Sequence, residues 1–329
     1  MTNKEIYELW IHNQQNLPIM MQPWWLDAVC AGKQWDVILV RADILPNCTD
    51  EQTNPPIIAA LPYLIRKKWG IRFILMPQLT QINGVWLDDN RDWDANELEL
   101  VSKYIANRLD DLKLSYYYQQ YPVGNRLPDY LAQQGFKVKE RITYRINDLS
   151  DLDKVINAFS KNKKRQLQKA LSLHAERGWT AEQFYQFNRS CREALGKKIS
   201  YSREFLLVLE QKTRKHRCSQ ILTIRNADNE VYAAALLVWD KKRLYYLVPV
   251  FSPEHKDSGA GALLVLESIK FCREMGLVFD FEGGNEAGLG KHYKQFGSEA
   301  YKYRSVHKYY HWWFWFANVY NQLHTRRFR

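Results

Sequence analysis

The sequence predicts an α/β protein of two lobes, each a mixed, mostly antiparallel sheet flanked by helices. Three observations carry this reading. The chain has 329 residues, enough for about two domains at ~150 residues each. Its second half runs strand, strand, glycine turn, helix, strand, helix, strand. Its first half alternates apolar runs with amphipathic stretches in a looser version of the same order.

In the first half the pattern predicts a helix over 23–30, a strand over 35–41, a loop through 46–56 and one strand over 57–66. A helix over 95–109, a strand over 113–119, a short helix over 128–134 and a strand over 136–146 follow. The turn Asn147–Ser150 marks the boundary, giving lobes 1–148 and 149–309, with 310–329 packing on the first. In the second lobe Val231–Trp239 and Arg243–Val250 are apolar runs around Asp240-Lys241-Lys242, a hairpin signal. Leu263, Leu264, Leu266, Ile269, Phe271 and Cys272 form the apolar side of the next helix, and Gly276 closes it. A strand at Leu277–Phe281, a turn at Glu282–Asn285, a short helix near Gly288–Phe296 and a strand over 301–307 complete the lobe.

Charge is divided unevenly. Residues 1–150 hold 16 Lys and Arg against 18 Asp and Glu, whereas 151–329 hold 31 against 18. An anionic partner is therefore expected on the second lobe. The five cysteines are odd in number and form no CxxC pair, which favours a reducing compartment over a disulfide frame. Met1–Trp10 is polar, so a cytoplasmic location is expected. His307 and His311 are the one pair at helical spacing; without an HExxH pattern no metal site is expected.

Four features carry candidate chemistry. First, Lys256, Ser258, Gly259, Ala260, Gly261 and Ala262 form a glycine-rich turn at a helix start, where backbone N–H groups without partners and the peptide dipoles attract phosphate. Second, Ser160 caps a basic helix, Lys161–Lys169, on which Lys161, Lys164 or Arg165, and Lys169 make either a phosphate clamp or a solvated face. Third, Tyr245 or Tyr246 could protonate a leaving group; alternation puts them on opposite faces, so at most one is catalytic, while strand N–H groups near Val248–Phe251 are natural oxyanion donors. Fourth, Asp280 and Glu282 share one face of a strand end and either accept a proton from an amine or hold the Gly283-Gly284 turn.

The Lys256–Gly261 spacing resembles the Arg/Gln-x-x-Gly-x-Gly/Ala signature of the Gcn5-related N-acetyltransferases (GNAT). Lys161–Ala170, Phe279–Gly284 and His292–Gly297 resemble, in order, the basic helix, the Tyr-Asp-Phe-x-Gly turn and the Phe-Lys-x-x-Phe-Gly motif of Fem-type aminoacyltransferases and their acyltransferase relatives. In the first half the likeness is looser, resting on Gln22–Trp25, Leu61–Tyr63 and Met76–Gln78. The resemblance implies two GNAT-like lobes and makes Lys294 the lysine that stabilises negative charge during transfer, with Tyr293 in the place of Phe. It also makes Arg165 a donor contact and Arg203 a candidate for meeting the acceptor.

The function so expected is transfer of an acyl group from acyl-CoA to an amine of a small molecule or peptide. The alternative is a Fem-type enzyme using aminoacyl-tRNA, through its acceptor stem, on a peptidoglycan precursor or peptide. A non-catalytic, membrane-associated scaffold that kept the fold and lost the donor site is the third reading, left open by the absence of an unambiguous general base; the aromatic-basic C-terminus, His311–Arg329, suits a bilayer interface, although its apolar run is too short to span one.

Overall fold

The computed structural model describes residues 1–30, 35–46, 55–286 and 288–311. Two compact units emerge: Met1–Arg141 with the chain from Lys302 onward, and Ile142–Tyr301.

The first unit opens with α1 (Asn3–Trp10), whose start is fixed by a reciprocal cap between Thr2 and Glu5, and α2 (Pro23–Val29), which begins on a proline. The strands β1 (Asp36–Arg41), β2 (Ile57–Tyr63), β3 (Ile65–Lys68), β4 (Ile71–Ile74) and β5 (Trp86–Leu87) follow. After them come α3 (Ala95–Asp111), β6 (Tyr116–Tyr121) and α4 (Leu127–Gln133). The single strand expected over 57–66 is two strands in different sheets. β2 is buried on both faces and joins β1 and β5, whereas β3 is half-exposed and joins β4 and β6. A change from two-sided to one-sided burial requires a change of sheet, and it falls at Leu64. Leu98, Val101, Ile105 and Leu109 of α3, at helical spacing, pack with Tyr117 and Tyr121 of β6 in this unit's core.

β7 (Lys137–Ile146) leads into the second unit, which contains α5 (Leu152–Asn157), α6 (Lys161–Lys169), β8 (His174–Arg177), α7 (Ala181–Ala194) and α8 (Arg203–Lys215). It continues through β9 (Ser219–Arg225), β10 (Val231–Trp239), β11 (Arg243–Phe251), α9 (Ala260–Glu274), β12 (Val278–Asp280) and α10 (Leu289–Lys294). The strand order in this unit is β7-β12-β11-β10-β9-β8. The hairpin, its following helix and β12 stand where the sequence puts them. β13 (Glu299–Tyr309) returns the chain to the first unit, where it pairs antiparallel with β6.

Two irregularities shape the centre of the second unit. Register shifts between Leu236 and Leu237, which face Val248 and Tyr246, so Leu247 is an extra residue that bulges β11. β12 pairs with β11 in parallel, and only from Arg243–Val278 to Tyr245–Asp280. Beyond Tyr245 the two strands part. Among the described residues no helix is long and apolar enough to cross a membrane, and the aromatic-basic segment from 312 lies outside the described residues.

Candidate functional site

A pocket of about 350 Å³ opens in the second unit between α6, the turn before α9, and α10. It is lined by Lys163 and Gln166 of α6, by Lys256 and Gly259–Ala262 of the turn, and by His292 and Gln295 of α10, with Tyr232 and Phe251 on the strand side. No Asp or Glu lines it. Four of the turn residues singled out in the sequence, with Lys256, thus meet in one cavity at a helix N-terminus.

Their roles differ from the expectation in two respects. Ser258 does not line the cavity: its hydroxyl donates to the His255 carbonyl (2.6 Å) and accepts from the Ala260 N–H (3.2 Å), which ties the turn ahead of α9 together. Gly259 is required for packing. It sits at φ +85°, and a Cβ there would lie 2.0 Å from the Gln166 carbonyl oxygen, so the backbone of α6 makes the close approach. At Gly261 a Cβ would meet only the Phe251 ring, at 3.3 Å, and Phe251 is 43% exposed.

A second cation lines the cavity, from the basic run that the sequence left open between a phosphate clamp and a solvated face. Lys163 is 3% exposed. Its Nζ donates to Gln166 Oε1 at 3.0 Å and to His292 Nδ1 at 3.4 Å, and lies 4.7 Å above the Phe296 ring. Burial lowers its pKa to about 8. His292 is exposed at its outer edge, but its ring rests against Phe296, and burial together with Lys163 lowers its pKa to about 4. The neutral imidazole is thus the acceptor in this pair. A signal was present in the chain: Lys163, Leu167 and Ala170 fall at i, i+4 and i+7, the stripe by which α6 meets the core. The backbone bond from Ser160 N to Gln295 O (2.8 Å) then brings α6 against α10.

Other candidates lie elsewhere. Arg165 is exposed and donates to Asn162 (3.3 Å). Lys161 and Lys169 are exposed and Lys164 bonds the Asn157 carbonyl, so the expected clamp is a solvated face. Arg203 starts α8 and pairs with Glu182 at 2.6 Å, a surface contact between α7 and α8. Lys294 ends α10 exposed and does not line the pocket, whereas His292 and Gln295 do. Counted back from Phe296-Gly297, the Phe-Lys-x-x-Phe-Gly pattern puts its lysine on Tyr293, one residue before Lys294. His307 is buried against Tyr116 and Tyr309, a packing role.

A second cluster lies where β11 and β12 part. Asp280 is 1% exposed and fully engaged: Oδ1 accepts from Thr143 (2.6 Å) and from the Glu282 N–H (2.9 Å), and Oδ2 from Arg145 Nε (2.7 Å). It holds the strand end together and is not free to act as a base. Glu282 is partly exposed and stands at φ +53°, a strained conformation for a side-chain-bearing residue. Burial of its carboxyl and the Asp280 charge raise its pKa well above the carboxylate range. Tyr293 stacks on Phe281 with ring centres 4.3 Å apart, an aromatic wall. Tyr245 donates to Asp240 Oδ2 (2.6 Å) and secures the hairpin turn. Tyr246, the first residue past the last β11–β12 pair, is 2% exposed, and among the described residues its hydroxyl has no hydrogen-bond partner. Of the Val248–Phe251 segment, Pro249 supplies no N–H.

The family model described as "Acetyltransferase (GNAT) domain" matches residues 133–295. No curated protein matches by sequence. Among solved structures, FemX superposes with a TM-score of 0.65 at 13% identity, covering 92% of this chain and 96% of that one. The C-terminal domain of an Agrobacterium fabrum protein named for lysylphosphatidylglycerol synthetase gives 0.53 at 13% identity, covering 93% and 92%. A tandem GNAT protein from the clavulanic acid pathway gives 0.50 at 9% identity, covering 84% and 98%. At such identities these likenesses are of fold, and they extend over both lobes. Residues 133–295 are thus similar to the GNAT acetyltransferase domain, a similarity that supports an N-acyltransferase, and the fold resembles that of FemX.

Proposed function

We propose that this enzyme takes its acyl group from acyl-CoA and delivers it to a primary amine. The observation that carries the donor is the pocket: a helix N-terminus without a side-chain cap, two lysines and no carboxylate converge on one cavity. An anion as large as a diphosphate fits that set by charge, with the Gly261 N–H at the start of α9 and Lys256 as donors. The parting of β11 and β12 beside it leaves a strand edge without a ladder partner, against which an extended donor arm can lie.

Acyl-CoA supplies an activated thioester. The amine nitrogen bonds to the carbonyl carbon, the carbon–sulfur bond breaks, the amine gives up a proton and the thiolate gains one. Glu282, with its raised proton affinity, is suited to take the amine proton once ionised. The Tyr246 hydroxyl, buried without a partner, is suited to protonate the thiolate.

An aminoacyl-tRNA donor is the second reading, favoured by the FemX-like architecture over most of the chain and by the excess of 31 Lys and Arg over 18 Asp and Glu in residues 151–329. Thermal unfolding with CoA, acetyl-CoA and aminoacyl-tRNA separates the two. A donor at 100 times its dissociation constant stabilises by about 2.7 kcal/mol. Stabilisation by CoA and acetyl-CoA supports the first reading; stabilisation by aminoacyl-tRNA alone replaces it with the second.

A further inference from the structure

The geometry points to Lys163 as a ligand of the donor's diphosphate, held in place by Gln166 and His292; this assignment rests on the acyl-CoA reading. Arg145, the one other buried Lys or Arg among the described residues, meets the Asp280 carboxylate. Lys163 does not. It is 3% exposed, and its two polar contacts are an amide oxygen and an imidazole nitrogen, neither of which carries charge. A buried ammonium without a counter-charge is costly, because desolvation is not offset by attraction. It is retained at a functional site when a ligand brings the missing charge.

The arrangement fits such a ligand. Gln166 and His292, three residues along the same helix and on α10, hold Nζ from two directions, so the ammonium has one donor position left. Both side chains line the pocket with Lys163, and so do Gly261 and Ala262 of the first turn of α9. α6 itself is pinned by the approach of Gly259 to the Gln166 carbonyl. The same close contact therefore fixes the helix N-terminus and the lysine relative to one another. Lys161, Lys164 and Lys169 do not line the cavity.

Calorimetric titration of CoA into the full-length protein, its Lys163→Met variant and its Lys163→Gln variant tests this, with inorganic diphosphate as a competitor. Methionine fills the buried space without charge, and glutamine keeps a neutral polar group there. Both variants are expected to melt no lower than the unsubstituted protein without ligand and to bind CoA at least tenfold more weakly. Diphosphate competes with CoA in the unsubstituted protein and loses most of that competition in the variants. If the unsubstituted protein binds CoA and Lys163→Gln binds it equally well, the assignment of Lys163 is overturned and the donor reading stands. If CoA does not bind the unsubstituted protein, the donor reading falls and takes the assignment with it.

Discussion

The glycine turn that opens α9 and the strand end that closes β12 divide their residues in the same way. In each, the most conspicuous residue serves the fold, and the one two positions later is the one proposed for chemistry. Gly259 accommodates the α6 backbone, and Gly261 faces the cavity. Asp280 is taken up by Thr143, Arg145 and a backbone N–H, and Glu282 is left with a raised proton affinity in a strained backbone. Residue type alone did not separate the pairs. What separates them is which neighbour arrives first: a helix backbone in one case, a buried arginine in the other.

The largest expected effect breaks the first pair. Gly259→Val forces a branched side chain into the Gln166 carbonyl at positive φ and is expected to cost on the order of 4 kcal/mol or more. Gly261→Ala touches a movable, exposed ring and is expected to leave stability within about 0.5 kcal/mol. Urea unfolding of the two variants checks this. Equal stabilities would remove the distinction between the two glycines.

The second pair gives the next effect. Asp280→Asn leaves Arg145 buried without its carboxylate and is expected to cost about 3 kcal/mol, the lower end for breaking a buried pair. An unfolding midpoint unchanged from the parent would show that the strand end does not need the charge.

The smallest change in stability has the opposite sign. Because folding raises the Glu282 pKa above its ordinary 4.5, the folded state holds a proton that the unfolded state releases. This contribution is fully present below pH 4.5 and is lost as the pH rises through the folded value. Glu282→Gln is neutral at every pH, so it is expected to melt above the parent at pH 7 and to lose that advantage near pH 4. Turnover, in contrast, should fall ~10²-fold or more if Glu282 is the base. A melting difference independent of pH would contradict the raised pKa.

Much of the second unit was legible because its signals are local. The β10–β11 hairpin ends where its polar turn says, and α9 follows from one apolar face. Ser160 caps α6 through a bond to the Lys163 N–H, as its position predicts. The site was less legible because its assignments depend on contacts distant in sequence. Nothing near Lys163 shows that α10, some 130 residues later, supplies His292 as its partner. Nothing near Asp280 shows that Arg145 from β7 occupies it. Lys294 illustrates the opposite error: a motif match offset by one residue on a helix turns a side chain about 100° away, here from the buried ring of Tyr293, stacked on Phe281, to water. In the first unit, the division between β2 and β3 was hidden because both are apolar at their junction.

The order of strands in the first unit bears on how the chain is made. β6 carries Tyr116, Tyr117, Tyr118 and Tyr121, and one of its edges is covered by β13, whose Arg304 pairs with Tyr121. That partner is synthesised about 180 residues after β6. At 5–20 residues per second, the ribosome takes roughly 10–40 s to reach it. Throughout that interval a tyrosine-rich strand edge is uncovered, a template for pairing with another nascent chain. The second unit, continuous from Ile142 to Tyr301, can close during the same interval. Yield in the cell should therefore be limited by this waiting edge, and slowing translation after residue 121 should increase aggregation more than slowing it before.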